Sequence, residues 1–112
     1  MSKSIIRAVI AAAGLGLAAA SQAAAADPAR GGAVYAEQKC SVCHSVAGKG
    51  NPRGSLDGVG AKLSADDIRQ WIVNPQEMAA KTRAERKPPM RSYPNLSAGD
   101  LDALVAYLQS LK

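Results

Sequence analysis

Apolar positions recur at helical spacing in three parts of the chain. Near the C-terminus, Leu101, Leu104, Val105, Leu108 and Leu111 form one stripe. Ser97 stands before it with Asp100 three residues on, which predicts a capped helix. Ile68, Trp71 and Ile72 repeat the pattern behind Ser64 and Asp67, and Asn74 and Pro75 close that helix. Asp27 and Pro28 open a third helix running to about Lys39, with Val34 and Tyr35 as its bulky residues. Gly31 and Gly32 lower helix propensity there, consistent either with close approach of another backbone or with a frayed first turn.

The intervening stretches follow other rules. Val46 to Gly60 contains Gly48, Gly50, Asn51, Pro52, Gly54, Gly58 and Gly60, a density of turn formers that predicts a loop without regular structure. Gln76 to Lys87 is polar and helix-permissive, and predicts one or two short turns before Pro88 and Pro89 force an extended backbone. No segment alternates like a strand and no internal repeat is visible, so the expected class is all-α with long irregular connections.

Residues 1–26 read differently. Lys3 and Arg7 precede an apolar run from Ala8 to Ala20, and small residues then offer cleavage after Ala23 or, preferably, Ala26. This is the pattern of a secretory signal and places the mature domain at residues 27–112, in the periplasm. A retained anchor is the alternative, but the Ala-dominated run is weakly hydrophobic and falls short of the ~20 apolar residues of a span.

Composition narrows the picture. The mature part has no Phe, and its aromatic residues are Tyr35, Trp71, Tyr93 and Tyr107. So small a domain builds a thin core, which a buried planar cofactor would supplement. Loss of Lys3 and Arg7 takes two charges from the formal +5 of the whole chain, leaving a balance too modest to argue for nucleic acid.

The chain's two cysteines and single histidine fall within five consecutive residues, Cys40, Ser41, Val42, Cys43 and His44. This Cys-x-x-Cys-His order is the pattern of covalent haem attachment. Two thiols at that spacing can add to the two vinyl groups of one haem, and the adjacent imidazole then lies under the iron as proximal ligand. A disulfide leaves the histidine unexplained, a zinc site needs four ligands, and a thioredoxin-like pair needs a βαβ context.

A second axial ligand must come from elsewhere, and Met78 and Met90 are the candidates. A thioether there favours Fe(II) and raises the potential. Met90 follows Pro88 and Pro89 in a stiffened loop, so less entropy is lost when it binds, and it is the preferred ligand. Met78, in a stretch that begins a helical turn, reads as a gap-filling core residue.

With these residues in view, the chain resembles the small bacterial class I cytochromes c. The matching features are Cys40 to His44, the stretch Leu56, Asp57, Gly58, Val59, Gly60, then Trp71 to Pro75, Pro89 with Met90, and the terminal Ala106, Tyr107, Leu108. The resemblance implies first and last helices crossing at near right angles, with Gly31 or Gly32 opposite Leu104, Tyr107 and Leu108, above one covalently attached haem c. It also implies a loop carbonyl, commonly proline's, accepting the other N–H of the proximal imidazole. Here Gly54, Ser55 and Leu56 replace the expected Gly-Pro-Leu, with Pro52 earlier, so the acceptor is left open.

The function so implied is a one-electron carrier, not an enzyme, shuttling between larger redox complexes. A haem enzyme or gas sensor with an open sixth position, and a dedicated subunit of a dehydrogenase or oxidase, are the alternatives. Lys81, Arg83, Arg86, Lys87 and Arg91, with only Glu85 as counter-charge, form either a docking surface for redox partners or a solvated face.

Overall fold

A computed structural model describes residues 26–112. The leader expected over residues 1–26 lies outside the described residues except for Ala26. The described residues form five α-helices: α1 (Pro28–Glu37), α2 (Val59–Lys62), α3 (Ala65–Val73), α4 (Pro75–Thr82) and α5 (Ala98–Gln109). None of the described helices is long and apolar enough to cross a membrane.

The three predicted caps form. The Asp27 side chain accepts from the Ala29 N–H at 2.9 Å, Ser64 Oγ from Asp67 at 3.1 Å and Ser97 Oγ from Asp100 at 3.1 Å. Each satisfies a first-turn donor that has no partner within its helix. α1 ends at Glu37 rather than Lys39, because Lys39 takes up a left-handed conformation (φ 57°) that turns the chain away from the helix axis.

The core lies where α1 crosses α5, and α3 packs against it. Val34 is fully buried and joins Tyr35, Ile68, Ile72, Leu104, Val105 and Leu108 in one cluster. Of the two glycines, Gly31 makes the crossing possible. A Cβ at Gly31 would overlap the Ala103 carbonyl oxygen and lie 2.5 Å from Tyr107 Cβ, whereas one at Gly32 would meet the Tyr107 ring at an ordinary 3.5 Å. The Tyr35 and Tyr107 rings then pack with centroids 5.7 Å apart, tilted by 55°. Arg30 spans the crossing, donating to Asp100 through Nε and Nη2 at 3.0 and 3.1 Å.

Trp71 departs from the expected stripe. Ile68 and Ile72 enter the cluster, but the Trp71 side chain is half-buried and packs outside it. Met78 is 7% exposed in α4, also outside that cluster.

The connection expected to exclude regular structure does contain some. Ser45–Val46 (β1) and Lys49–Gly50 (β2) pair antiparallel, with Val46 opposite Lys49. Ala47 and Gly48 link them with positive φ at both positions (50° and 79°), the requirement of the tight turn that suits a twisted hairpin. Alanine carries no signal for that conformation, so the hairpin left little trace in the pattern. A 3₁₀ turn (Pro52–Gly54) and the short α2 follow. Between α3 and α5, α4 supplies the two expected turns and stops at Arg83, which is left-handed (φ 54°), with the Ala84 N–H returning to the Ala79 carbonyl at 2.9 Å.

The two glycines therefore separate cleanly in stability. Gly31→Ala is expected to destabilise the protein by about 1–3 kcal/mol through overlap at the crossing. Gly32→Ala is expected to stabilise it by about 0.5–1 kcal/mol through helix propensity. Urea denaturation of the two variants, followed by circular dichroism, measures both.

Candidate haem-attachment site

The left-handed Lys39 ends α1 and starts the attachment turn at once. Cys40–Val42 form a 3₁₀ turn, and the Cys40 carbonyl accepts from both the Cys43 and His44 N–H groups, at 3.1 and 2.9 Å. The two thiols and the imidazole are thus fixed to one tight turn. Both cysteines are free thiols; Cys40 is half-buried against the core and Cys43 is exposed. Burial pushes the Cys40 thiol above its ordinary pKa, only partly offset by its own backbone and by the Arg91 charge.

His44 is held by a single bond with a clear direction. Its Nδ1 lies 2.9 Å from the Gly54 carbonyl oxygen, which can only accept, so Nδ1 carries the proton and Nε2 keeps its lone pair. Burial lowers the His44 pKa, the Gly54 hydrogen bond opposes this, and the Arg86 charge lowers it further. The imidazole is therefore neutral at neutral pH, the form in which it binds a metal.

The open question of the acceptor is thereby answered. It is Gly54, not Pro52 and not Ser55. Pro52 opens the 3₁₀ turn that ends at Gly54, and Ser55 Oγ accepts from the Asp57 N–H at 3.3 Å. A Cβ at Gly54 would overlap the Cys43 carbonyl oxygen and the Arg86 guanidinium, so the residue that fixes the imidazole must itself lack a side chain.

Several residues that sequence reasoning passed over hold this loop to the turn. Asn51 donates its backbone N–H to the Ser41 and His44 carbonyls at 3.1 and 2.9 Å and its side-chain amide to the Val42 carbonyl at 3.2 Å. Its side-chain oxygen caps the Arg53 N–H at 3.0 Å. The Asn51-Pro52 pair is a readable cap followed by a first-turn proline, so this turn was signalled. Asp57 accepts from the Ala47 N–H at 2.8 Å, and the buried Ser45 carbonyl from the Leu56 N–H at 2.8 Å.

The segment from Ala84 to Tyr93 carries Met90 and has no regular structure. It is pinned on both sides of the methionine. Arg86 Nη2 donates to the Cys43 carbonyl, and the Tyr93 N–H donates to the Ile72 carbonyl at 3.0 Å. Arg91 donates to Tyr93 Oη at 3.2 Å, lies over the Tyr93 ring at 5.2 Å, and feels both Cys40 and Cys43 electrostatically. Met90 is half-buried in this pinned segment, while Met78 is buried within α4. Of the basic cluster, Arg86 and Arg91 reach the attachment turn or its neighbours; Lys81, Arg83 and Lys87 are exposed and form no ion pair among the described residues.

The donor set fits a haem. Two free thiols and one neutral imidazole with a free Nε2 stand on one turn, the donors that covalent haem attachment and iron ligation require. Among the described residues no group of three or more His, Cys, Asp and Glu side chains is placed to hold a metal ion.

Comparison with known proteins gives the same answer. A family model described as cytochrome c matches residues 28–112. The chain is also similar to cytochrome c oxidase subunit 2 of Alkalihalophilus pseudofirmus, with 32% identity over 92 residues, a match covering 74% of this chain. It spans 25% of that relative's length. No solved structure matches significantly. A helical domain whose first and last helices cross, with Cys-x-x-Cys-His on the turn beside the crossing and a family match from residue 28 to the last residue, belongs to the cytochrome c family, as a small class I electron-transfer protein with covalently bound haem c.

Proposed function

We propose that the mature chain is a periplasmic carrier of single electrons. It bears one haem attached through Cys40 and Cys43, with iron between His44 and Met90. The observation that carries this reading is the His44 Nδ1 hydrogen bond to Gly54, which orients the imidazole and leaves Nε2 for the metal. When bound, the haem supplies a ferric/ferrous couple that takes or gives one electron. The chain's sole histidine and both its cysteines stand on this turn, which supports one haem rather than several.

Each remaining residue has a defined part. Cys40, half-buried, and Cys43, exposed, fix the macrocycle by thioethers from the two ends of the 3₁₀ turn. Met90 sits in a segment tied down at Arg86 and Tyr93, so that its thioether is presented with little freedom left to lose. A ligand set that hardly changes between oxidation states minimises reorganisation, which suits a carrier and leaves no open position for substrate.

Within the basic cluster of Lys81, Arg83, Arg86, Lys87 and Arg91, the solvated Lys81, Arg83 and Lys87 are the proposed docking surface for acidic redox partners, since Arg86 and Arg91 are engaged within the fold. Charge complementarity speeds encounter without tight binding, so the complex separates quickly after transfer. The likeness to an oxidase subunit favours a second reading, in which the domain serves one oxidase as a dedicated electron-transfer subunit. The leader over residues 1–26 supports export in either case.

Three measurements test this. The purified protein is expected to stain for haem on a denaturing gel, and the Cys40→Ser, Cys43→Ser double variant to lose the stain. The reduced wild-type protein is expected to show a six-coordinate visible spectrum that carbon monoxide changes only slowly. Met90→Ala is expected to bind carbon monoxide rapidly, with Met78→Ala unchanged; the reverse result would reassign the ligand. Finally, electron-transfer rates with an acidic partner are expected to fall by about tenfold or more between low salt and ~1 M salt, as screening removes steering. A salt-independent rate points to the dedicated-subunit reading.

A further inference from the structure

Arg86 lies far in sequence from the attachment motif, yet it makes the contact that joins the two halves of the site. Its Nη2 donates to the Cys43 carbonyl across 43 residues, and the guanidinium occupies the space that a Cβ on Gly54 would need. Gly54 is the residue whose carbonyl holds His44, and Cys43 is the neighbour of His44 in the chain. One planar cation therefore touches both flanks of the proximal ligand. It also sits four residues before Met90, at one end of the segment whose other tie is the Tyr93 N–H to Ile72.

We propose that Arg86 is a positioning residue that latches the Met90 segment onto the proximal loop and sets the poise of the iron with its fixed charge. The proposal rests on the reading of His44 and Met90 as axial ligands. The latch acts through geometry. With Arg86 bound to the Cys43 carbonyl, the stretch from residue 86 to residue 93 is held at both ends and stiffened between them by Pro88 and Pro89. Release of the Arg86 end lets the methionine sample positions away from the metal, and a weak thioether bond is lost first.

The charge acts separately. A positive group beside the proximal ligand favours the form of the site with one more electron. Reduction takes that electron from the reduced partner, with no proton and no bond made or broken in the protein. The guanidinium is suited to both tasks, because one planar, delocalised cation can donate to the carbonyl and bring its charge beside the proximal ligand. Lysine in its place keeps the charge but not the flat contact over Gly54.

The test uses the haem-loaded wild-type protein with Arg86→Gln and Arg86→Lys. Two quantities are read: the reduction potential, and the alkaline pH midpoint at which the ferric protein loses the red-end charge-transfer band given by a thioether ligand. Arg86→Gln is expected to shift the redox equilibrium about threefold toward the ferric form, about 30 mV at 59 mV per decade for one electron. Both variants are expected to lose the thioether band about one pH unit or more below wild type, a tenfold weakening of the ligated state. Arg86→Lys is expected to keep the wild-type potential.

Haem-loaded variants with wild-type midpoints overturn the latch, and an unshifted potential in Arg86→Gln overturns the charge effect. A wild-type chain that binds haem but never shows the thioether band overturns the Met90 reading itself, and the latch with it. Haem staining of each variant on a denaturing gel distinguishes these results from failure to attach haem.

Discussion

The hydrogen bond from His44 to the Gly54 carbonyl is the constraint around which the domain is arranged. An imidazole bound at Nδ1 has one tautomer and one orientation, so the direction of Nε2 is set before any metal arrives. Fixing that carbonyl requires the loop after the hairpin to return to the attachment turn, and a dense set of bonds brings it there. Asn51 reaches Ser41, Val42 and His44, the Ser45 carbonyl holds Leu56, and Asp57 holds Ala47. The irregular appearance of residues 46–60 is thus misleading in one respect: the backbone is irregular because its partners are the carbonyls of another turn. Glycine and asparagine serve such a path because they leave the backbone accessible.

The second constraint is the helix crossing. A domain this small has few large side chains to bury, and α1 and α5 compensate by approaching so closely that a Cβ on Gly31 would overlap the Ala103 carbonyl of α5. That approach buries Val34 completely and packs the ring of Tyr35, in the helix that leads directly to the attachment turn, at a tilt against Tyr107. Because Lys39 turns left-handed directly after α1, the orientation of the crossing is passed to Cys40 within a few residues. Core packing and thiol placement are consequently one mechanical problem, and an error at Gly31 is felt at the site.

Local chemistry made most of the fold legible in the sequence. Asp27, Ser64 and Ser97 announce their helices because a cap is read from adjacent residues, and the Ile and Leu spacings give the buried faces of α3 and α5. The Cys-x-x-Cys-His order was legible for the same reason. What was missed depends on contacts between distant residues or on unfavourable local conformations. Ala47, Lys39 and Arg83 adopt positive φ without being glycine, so the hairpin and two helix ends carried no local mark. Trp71 shares the spacing of Ile68 and Ile72 yet lies outside their cluster, a difference that periodicity cannot express. The Gly54 acceptor was hidden by comparison with a proline pattern, although the role needs only a backbone carbonyl at a position with no room for a Cβ.

The basic segment shows how one set of charges divides between internal and external work. Read as sequence, Lys81, Arg83, Arg86, Lys87 and Arg91 are equivalent members of a patch. In the fold they are not. Arg86 is bound to the Cys43 carbonyl and Arg91 to the Tyr93 hydroxyl, whereas Lys81, Arg83 and Lys87 remain in solvent. A guanidinium already holding a carbonyl loses that bond if a partner's carboxylate captures it, so docking there would disturb the ligand segment. Lysines in solvent lose only hydration and side-chain freedom. In the proposed carrier, the solvated cations are therefore the ones suited to meeting a partner, and the two engaged arginines to keeping the site unchanged while it does so.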